Sequence, residues 1–176
     1  KLTVLEGVRK YGGFDPLAMS ETELFDKIKS LGSDMQKPKS IGEMMMEAFE
    51  LVAEKHLWQP TFVIDHPVEI SPLTKKHRST PGMVERFEPM VAHMELGNAY
   101  TELNDPEDQR ARMEEQESKR ATDKEAHPKD DDFLHAIDVG MPPTGGVGIG
   151  IERLVMMLAD QHSIRDILFF PTMRIK

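Results

Sequence analysis

The sequence predicts an α+β domain in which a mixed, mainly antiparallel sheet is flanked by helices. Three observations carry that expectation. Ser/Thr-x-x-Glu openings at Thr3, Ser20 and Ser40 each precede apolar residues at helical spacing. Two β-type runs, 86–91 and 94–103, are separated only by Ala92-His93 and so pair as an antiparallel hairpin. Glycines at 146, 148 and 150 recur with period two, after which the pattern turns helical.

Taken in order, Thr3 and Glu6 form a capping box, Leu5 and Val8 share a face, and Gly12-Gly13 stops the helix. Ser20 with Glu23 opens a second helix, whose stripe of Leu24, Ile28 and Leu31 ends at Gly32. Ser40 with Glu43 opens a third, carrying Met44, Met45, Ala48, Phe49 and Val52 to about His56. Its methionines read as core filler. Thr61 to Asp65 reads as a buried strand limited by Pro67, with Val68-Glu69-Ile70 as a candidate continuation of the sheet. Residues 73–84 form a loop with the basic run Lys75-Lys76-His77-Arg78, for which solvation is favoured over a phosphate or RNA contact.

Asp105 caps the next helix, with Pro106 at its first position and Asp108 closing the box. That helix is polar nearly all round, runs to about Ala121 and is expected to cross the surface. Asp108/Arg112 and Glu115/Lys119 support it as i,i+4 pairs. A shorter helix spans about Phe133 to Val139, capped by Asp131 or Asp132 and ended by Gly140. Pro142-Pro143 then leads into the glycine strand, 146–151, which is expected at the centre of the sheet with Val147, Ile149 and Ile151 anchored in the core. Leu154, Met157 and Leu158 stripe the following helix. Ser163 to Asp166 caps a helical turn, and Ile167 to Phe170 is expected as a last buried strand.

At 176 residues the chain can bury one substantial core, so one domain, 1–176, is expected. A net charge of −9 excludes a surface that is basic throughout. Without cysteine there are no disulfides or thiolate metal sites, which fits a reducing compartment. The seven histidines show no zinc-ligand spacing, and no apolar run is long enough to span a bilayer.

Two stretches carry the candidate chemistry. Gly146, Gly148 and Gly150 leave one face of their strand bare, and a reason to keep such a face is close approach by a ligand or another backbone. Arg153 stands where that strand becomes a helix. A tightly packed joint with a solvated arginine is the competing reading. In the hairpin, Asn98, Tyr100 and Glu102 share a face at period two. That face is either a polar side turned to water or a pocket. Glu88 and Glu95 add two carboxylates, which repel unless a cation lies between them, and oxygen-only ligation suits Mg²⁺. Strict alternation puts Glu95 on the face opposite Glu102, so one shared pocket requires an extra residue in the strand, with a bulge expected at Gly97.

The stretch Gly146-Val147-Gly148-Ile149-Gly150-Ile151-Glu152-Arg153 resembles the third signature motif of the class II aminoacyl-tRNA synthetases. The segments Glu95-Leu96-Gly97-Asn98-Ala99-Tyr100-Thr101-Glu102, Arg86-Phe87-Glu88, Asp65-His66-Pro67 and Pro142-Pro143-Thr144 are similar to the lysyl version of that family. The likeness runs from about Pro60 to Arg174. Glu152, Gly145 and Met94 depart from it where aspartate, alanine and a basic residue are more usual.

The resemblance implies a partial class II catalytic core in which the first two signature motifs and the anticodon-binding domain are absent from this chain. It further implies lysine activation by ATP to lysyl-adenylate and lysyl transfer to tRNA, in a cytoplasmic, homodimeric enzyme outside the membrane. Position by position, Glu88 and Glu95 are implied to hold Mg²⁺ on ATP and Asn98 to lie near the lysine carboxylate. Tyr100 is implied as an aromatic wall and Glu102 as the partner of the ε-ammonium. Gly146, Gly148 and Gly150 are implied to floor the adenosine, and Arg153 to pack on adenine and contact the γ-phosphate. A paralogue that lysylates a protein, or a catalytically inactive regulatory module, stands as the alternative. The isolated chain is expected to be inactive.

Overall fold

The computed structural model describes residues 1–119 and 129–172. A six-stranded sheet runs in the order β1-β2-β3-β5-β6, with β4 pairing β3. Its strands are β1 (Leu2–Thr3), β2 (Thr61–Ile64), β3 (Arg86–Val91), β4 (Met94–Glu95), β5 (Gly97–Thr101) and β6 (Gly145–Ile149). Among the described residues only β1 and β2 pair in parallel; the other pairings are antiparallel, so the sheet is mixed and mainly antiparallel, as the sequence predicts.

The three early helical segments start where their side chains can cap them. Thr3, Ser20 and Ser40 each accept from the backbone N–H three residues on, and Glu6, Glu23 and Glu43 reach back. They open α1 (Val4–Gly7, continuing as a wider turn to Gly12), α2 (Glu21–Ser30) and α3 (Ile41–Val52). Gly13 at φ 73° stops the first, a conformation that glycine reaches without Cβ strain. Val4, Val8, Leu24, Ile28, Met44, Met45, Ala48 and Phe49 form a core with Val63 and Met90 of the sheet. Truncating Phe49 to alanine in such a core costs about 3–5 kcal/mol. Leu31, expected in the α2 stripe, is instead more than a third exposed.

Most further differences from the sequence expectations share one cause, which is that apolar content records a preference for burial and not the presence of a covering element. In β2 only Val63 is buried, and Phe62 is open to solvent. Val68–Ile70 forms a tight 3₁₀ turn and not a strand, because Asp65 at φ 59° has already turned the chain out of the sheet. The glycine strand β6 lies at the sheet edge and not at its centre. Val147, Ile149 and Ile151 are 72%, 59% and 60% exposed, so no described element anchors them. After α6 (Ile151–Leu158) and α7 (Ile164–Ile167), residues 168–170 form no strand, and Phe169 and Phe170 are almost fully exposed. Along α6, Met157 and Leu158 are exposed as well.

Helix α4 (Pro106–Lys119) opens on Asp105, whose Oδ1 accepts from Glu107 and Asp108 N–H. The Asp108 carboxylate does not close the box. It takes both Nε and Nη2 of Arg112, at 3.1 and 3.0 Å, and Lys76 at 3.0 Å. The helix is more than a solvated rod, since Gln109 and Arg112 are buried. Gln109 donates to Pro72 O, and Arg112 Nη1 donates to Ser71 O and Thr74 O at 3.2 and 2.7 Å. Unpaired loop carbonyls would be costly when buried, and these polar side chains satisfy them. The expected end at Ala121 lies outside the described residues. Helix α5 (Asp131–Val139) is capped one residue earlier than expected, by Asp130, whose Oδ1 accepts from Phe133 N.

Candidate active site on the glycine face

The site is set by strand register. Arg86 pairs with Tyr100 and Phe87 with Ala99, whereas Met90 pairs with Glu95 and Val91 with Met94. Residues 88–89 are therefore opposed by 96–98, one residue more, and the expected bulge is present at Leu96-Gly97. Pro89 explains its place. It has no N–H for the ladder, while its carbonyl accepts from Leu96 N at 2.8 Å. The turn at Ala92-His93, with φ of 49° and 64°, closes the hairpin.

The bulge returns Glu95 to the face of Arg86 and Glu88. Asn98 and Tyr100 lie there as well, opposite Gly148 and Gly146 of β6. Glu102 joins them, because a Cβ on Gly146 would collide with Glu102 Oε1. Arg153 reaches over from α6, its Nη1 donating to Glu95 O at 2.6 Å and lying 3.5 Å from Glu95 Oε2. Gly150 precedes α6 and donates its N–H to Leu96 O at 2.8 Å. All the residues singled out from the sequence thus gather around one surface. The apolar residues Phe62, Phe87, Val147 and Ile149 occupy the other side of the sheet.

Arg86 is the residue that sequence reasoning left without a role. Its Nη2 donates to Glu88 Oε1 at 2.6 Å, its Nε to Asn98 Oδ1 at 3.1 Å, and its Nη1 to Ser71 Oγ and Ile70 O. With the Asn98 oxygen held by Arg86, the amide N–H₂ is the group left to face a ligand. The alternation Arg86-Phe87-Glu88 was the signal that could have found it. Glu88 is buried, which raises its pKa, but His66 and Arg86 outweigh burial and hold it below the ordinary value. Glu54 was also missed, having no periodic partner in sequence. Burial, then the charges of Glu88 and Glu95, push its carboxyl up, so three acidic groups share one neighbourhood. Burial alone raises Glu102, and no cation among the described residues pairs with it. Tyr100 is raised by burial and by Glu102, with Arg86 opposing.

In the basic run Lys75, Lys76 and Arg78 are exposed, as expected, and each member also has a partner within the protein. Lys75 donates to Asn104 Oδ1, Lys76 meets Asp108, His77 lies 3.7 Å from Asp65, and Arg78 grips Glu85 through Nε and Nη2 at 2.6 and 3.2 Å.

A bare glycine strand thus runs into a helix that carries arginine, beside a bulged hairpin lined with carboxylates. Residues 6–174 match the family described as tRNA synthetases class II (D, K and N), and the chain belongs to that family. It is similar to the lysine–tRNA ligase of Moorella thermoacetica, with 51% identity over 179 residues covering 100% of this chain and 36% of that protein. The lysine–tRNA ligase of Gloeobacter violaceus is 56% identical over 147 residues, which cover 83% of this chain and 30% of its own length. That of Methanoculleus marisnigri is 50% identical over 176 residues, covering 99% and 35%. The chain thus spans about a third of the length of these relatives. Among the described residues no helix is long and apolar enough to cross a membrane.

Proposed function

We propose that this chain is part of a lysine–tRNA ligase and supplies one side of the site where lysine is activated by ATP. The observation that carries the reading is Glu102, a carboxylate on the glycine face, raised by burial and without a cationic partner among the described residues. Such a group gains most from a ligand that brings its own cation. Lysine brings an ε-ammonium, and an apolar competitor would leave the carboxylate unpaired.

On this reading Tyr100 walls the lysine side chain and the Asn98 amide donates to its carboxylate. The glycine face at 146, 148 and 150 floors the adenosine, and Arg153 meets the terminal phosphate. A lysine carboxylate oxygen attacks the α-phosphorus, the bond to pyrophosphate breaks, and lysyl-adenylate forms. The terminal hydroxyl of tRNA then attacks the lysyl carbonyl carbon and loses its proton, the bond to the phosphate of AMP breaks, and lysyl-tRNA and AMP result. Both steps depend mainly on positioning and on charge placed in advance.

Glu88 and Glu95 fit a Mg²⁺ held against the phosphates. They share a face, and their charges already reach Glu54, so the neighbourhood favours a cation. Each carboxylate oxygen has about two acceptor positions, so Arg86 at Oε1 of Glu88 leaves room beside it. Among the described residues no group of three or more His, Cys, Asp or Glu could hold a metal. Two carboxylates with phosphate and water completing the shell is the usual Mg²⁺ arrangement. The ion would offset charge on the leaving pyrophosphate. The working protein is a cytoplasmic homodimer that uses lysine, ATP and tRNA.

The test is Glu102→Gln in the full-length protein, read by lysine-dependent ATP–pyrophosphate exchange. A charge-assisted hydrogen bond is worth about 1.5–3 kcal/mol, so KM for lysine should rise roughly 10- to 150-fold. An unchanged lysine KM sinks the assignment.

A further inference from the structure

Glu88 lies where the hydrophobic core of the sheet gives way to the open glycine face, with Val63 beside it on β2. Arg86 holds one of its oxygens. The other faces His66, whose Nε2 is 3.3 Å from Glu88 Oε2. His66 is fully buried, and neither ring nitrogen has an aligned hydrogen-bond partner among the described residues. Two buried nitrogens without an aligned partner cost stability that a phenyl ring of similar shape would not.

Backbone geometry brings the ring to this place. Asp65, at φ 59°, turns the chain at the end of β2, and Pro67 restricts His66 to extended geometry. The His66 carbonyl is tied to Val84 N at 2.9 Å, and Pro67 bridges Met83. The side chain is thereby driven inward against Glu88.

We propose that His66 is a positioning residue for the Glu88 carboxylate, pairing with Oε2 so that the plane set by Arg86 at Oε1 cannot swing. Each oxygen then keeps one acceptor position directed to the glycine face. The proposal rests on the reading of Glu88 as a carboxylate that holds the cation carried by ATP. Partners behind a ligating carboxylate orient it, and losing one typically weakens metal affinity or activity about 10- to 100-fold.

The experiment uses the full-length protein with ATP and Mn²⁺ as the probe, free Mn²⁺ being counted by electron paramagnetic resonance. His66→Phe should weaken Mn²⁺ binding to the ATP complex about 10- to 100-fold and leave lysine binding in the absence of ATP unchanged. His66→Gln, which keeps an N–H near the Nε2 position, should restore most of the loss. In a Glu88→Gln background His66→Phe should add nothing, since the two act as a unit. Wild-type Mn²⁺ affinity in His66→Phe, beside a weakened Glu88→Gln, overturns the proposal and leaves the role of Glu88 standing. Unchanged affinity in Glu88→Gln overturns both. If His66→Phe does not fold, His66→Gln and His66→Asn give the same contrast. Glutamine near wild type with asparagine weakened supports the proposal, and equal affinities for the two refute it.

Discussion

Replacing Gly148 by alanine places a methyl group on the face shared with Asn98 and Tyr100. Among the described residues that methyl meets only Asn98 O, at 3.9 Å, an ordinary van der Waals contact. Gly148 is not among the positive-φ glycines, so alanine is not strained there. Glycine in a strand costs roughly 0.5–1 kcal/mol relative to alanine, and the substitution should return that amount. In a chain of this size each kcal/mol is worth about 2–4 °C, so Tm should rise by roughly 1–4 °C. The ligand feels the opposite. If adenosine lies on this face, the methyl overpacks the contact by about 1–3 kcal/mol, or roughly 5- to 150-fold in ATP affinity. Calorimetric Tm of the 176-residue chain and equilibrium ATP binding by the full-length protein read the two effects separately. A raised Tm with unchanged ATP affinity refutes the adenosine floor, and a fall in Tm refutes the packing argument.

Gly97→Ala should behave differently, because its Cβ would collide with the backbone oxygen of Gly148 and lie 3.3 Å from Ile149 Cα. Backbone cannot rotate aside, so a loss of about 1–3 kcal/mol in denaturant titrations is expected, and an unchanged midpoint contradicts the β5–β6 register. Glu85 is held down to about 2 from 4.5, chiefly by Arg78, against burial and with help from Thr101. A depressed carboxylate contributes stability that is complete above pH 4.5 and lost as pH falls towards about 2. Glu85→Gln should flatten stability across that window, and the difference should shrink in high salt because Arg78 is exposed. A pH profile parallel to wild type refutes that assignment. Finally, the 176-residue chain alone should bind ATP weakly and show no lysine-dependent exchange, while a version extended upstream should be active. The family resemblance implies an upstream arginine at the α-phosphate, and losing one such contact costs about 10²–10³ in rate. Robust exchange by the short chain refutes that division of the site.

What the sequence by itself determined was local. The caps at Thr3, Ser20 and Ser40, the turn at Ala92-His93 and the shared face of Asn98 and Tyr100 depend on residues within a few positions of one another. The bulge was legible as well, because period two allowed no other way to bring Glu95 to the side of Glu88, though Pro89 was the better marker of its place. Tertiary structure decided what depends on distant neighbours. The edge position of β6 and the exposure of Phe169 and Phe170 follow from what covers an apolar run, which the run itself does not encode. The polar helix α4 hides a buried arginine because loop carbonyls 35 or more residues away require donors. Arg86 stands two residues from Glu88 on one strand and was within reach of the sequence. Asn98, Ser71 and His66 join them only when strand pairing and the turn at Asp65 bring them there. An ion pair is a property of two positions in space, and chain order sets only one of them.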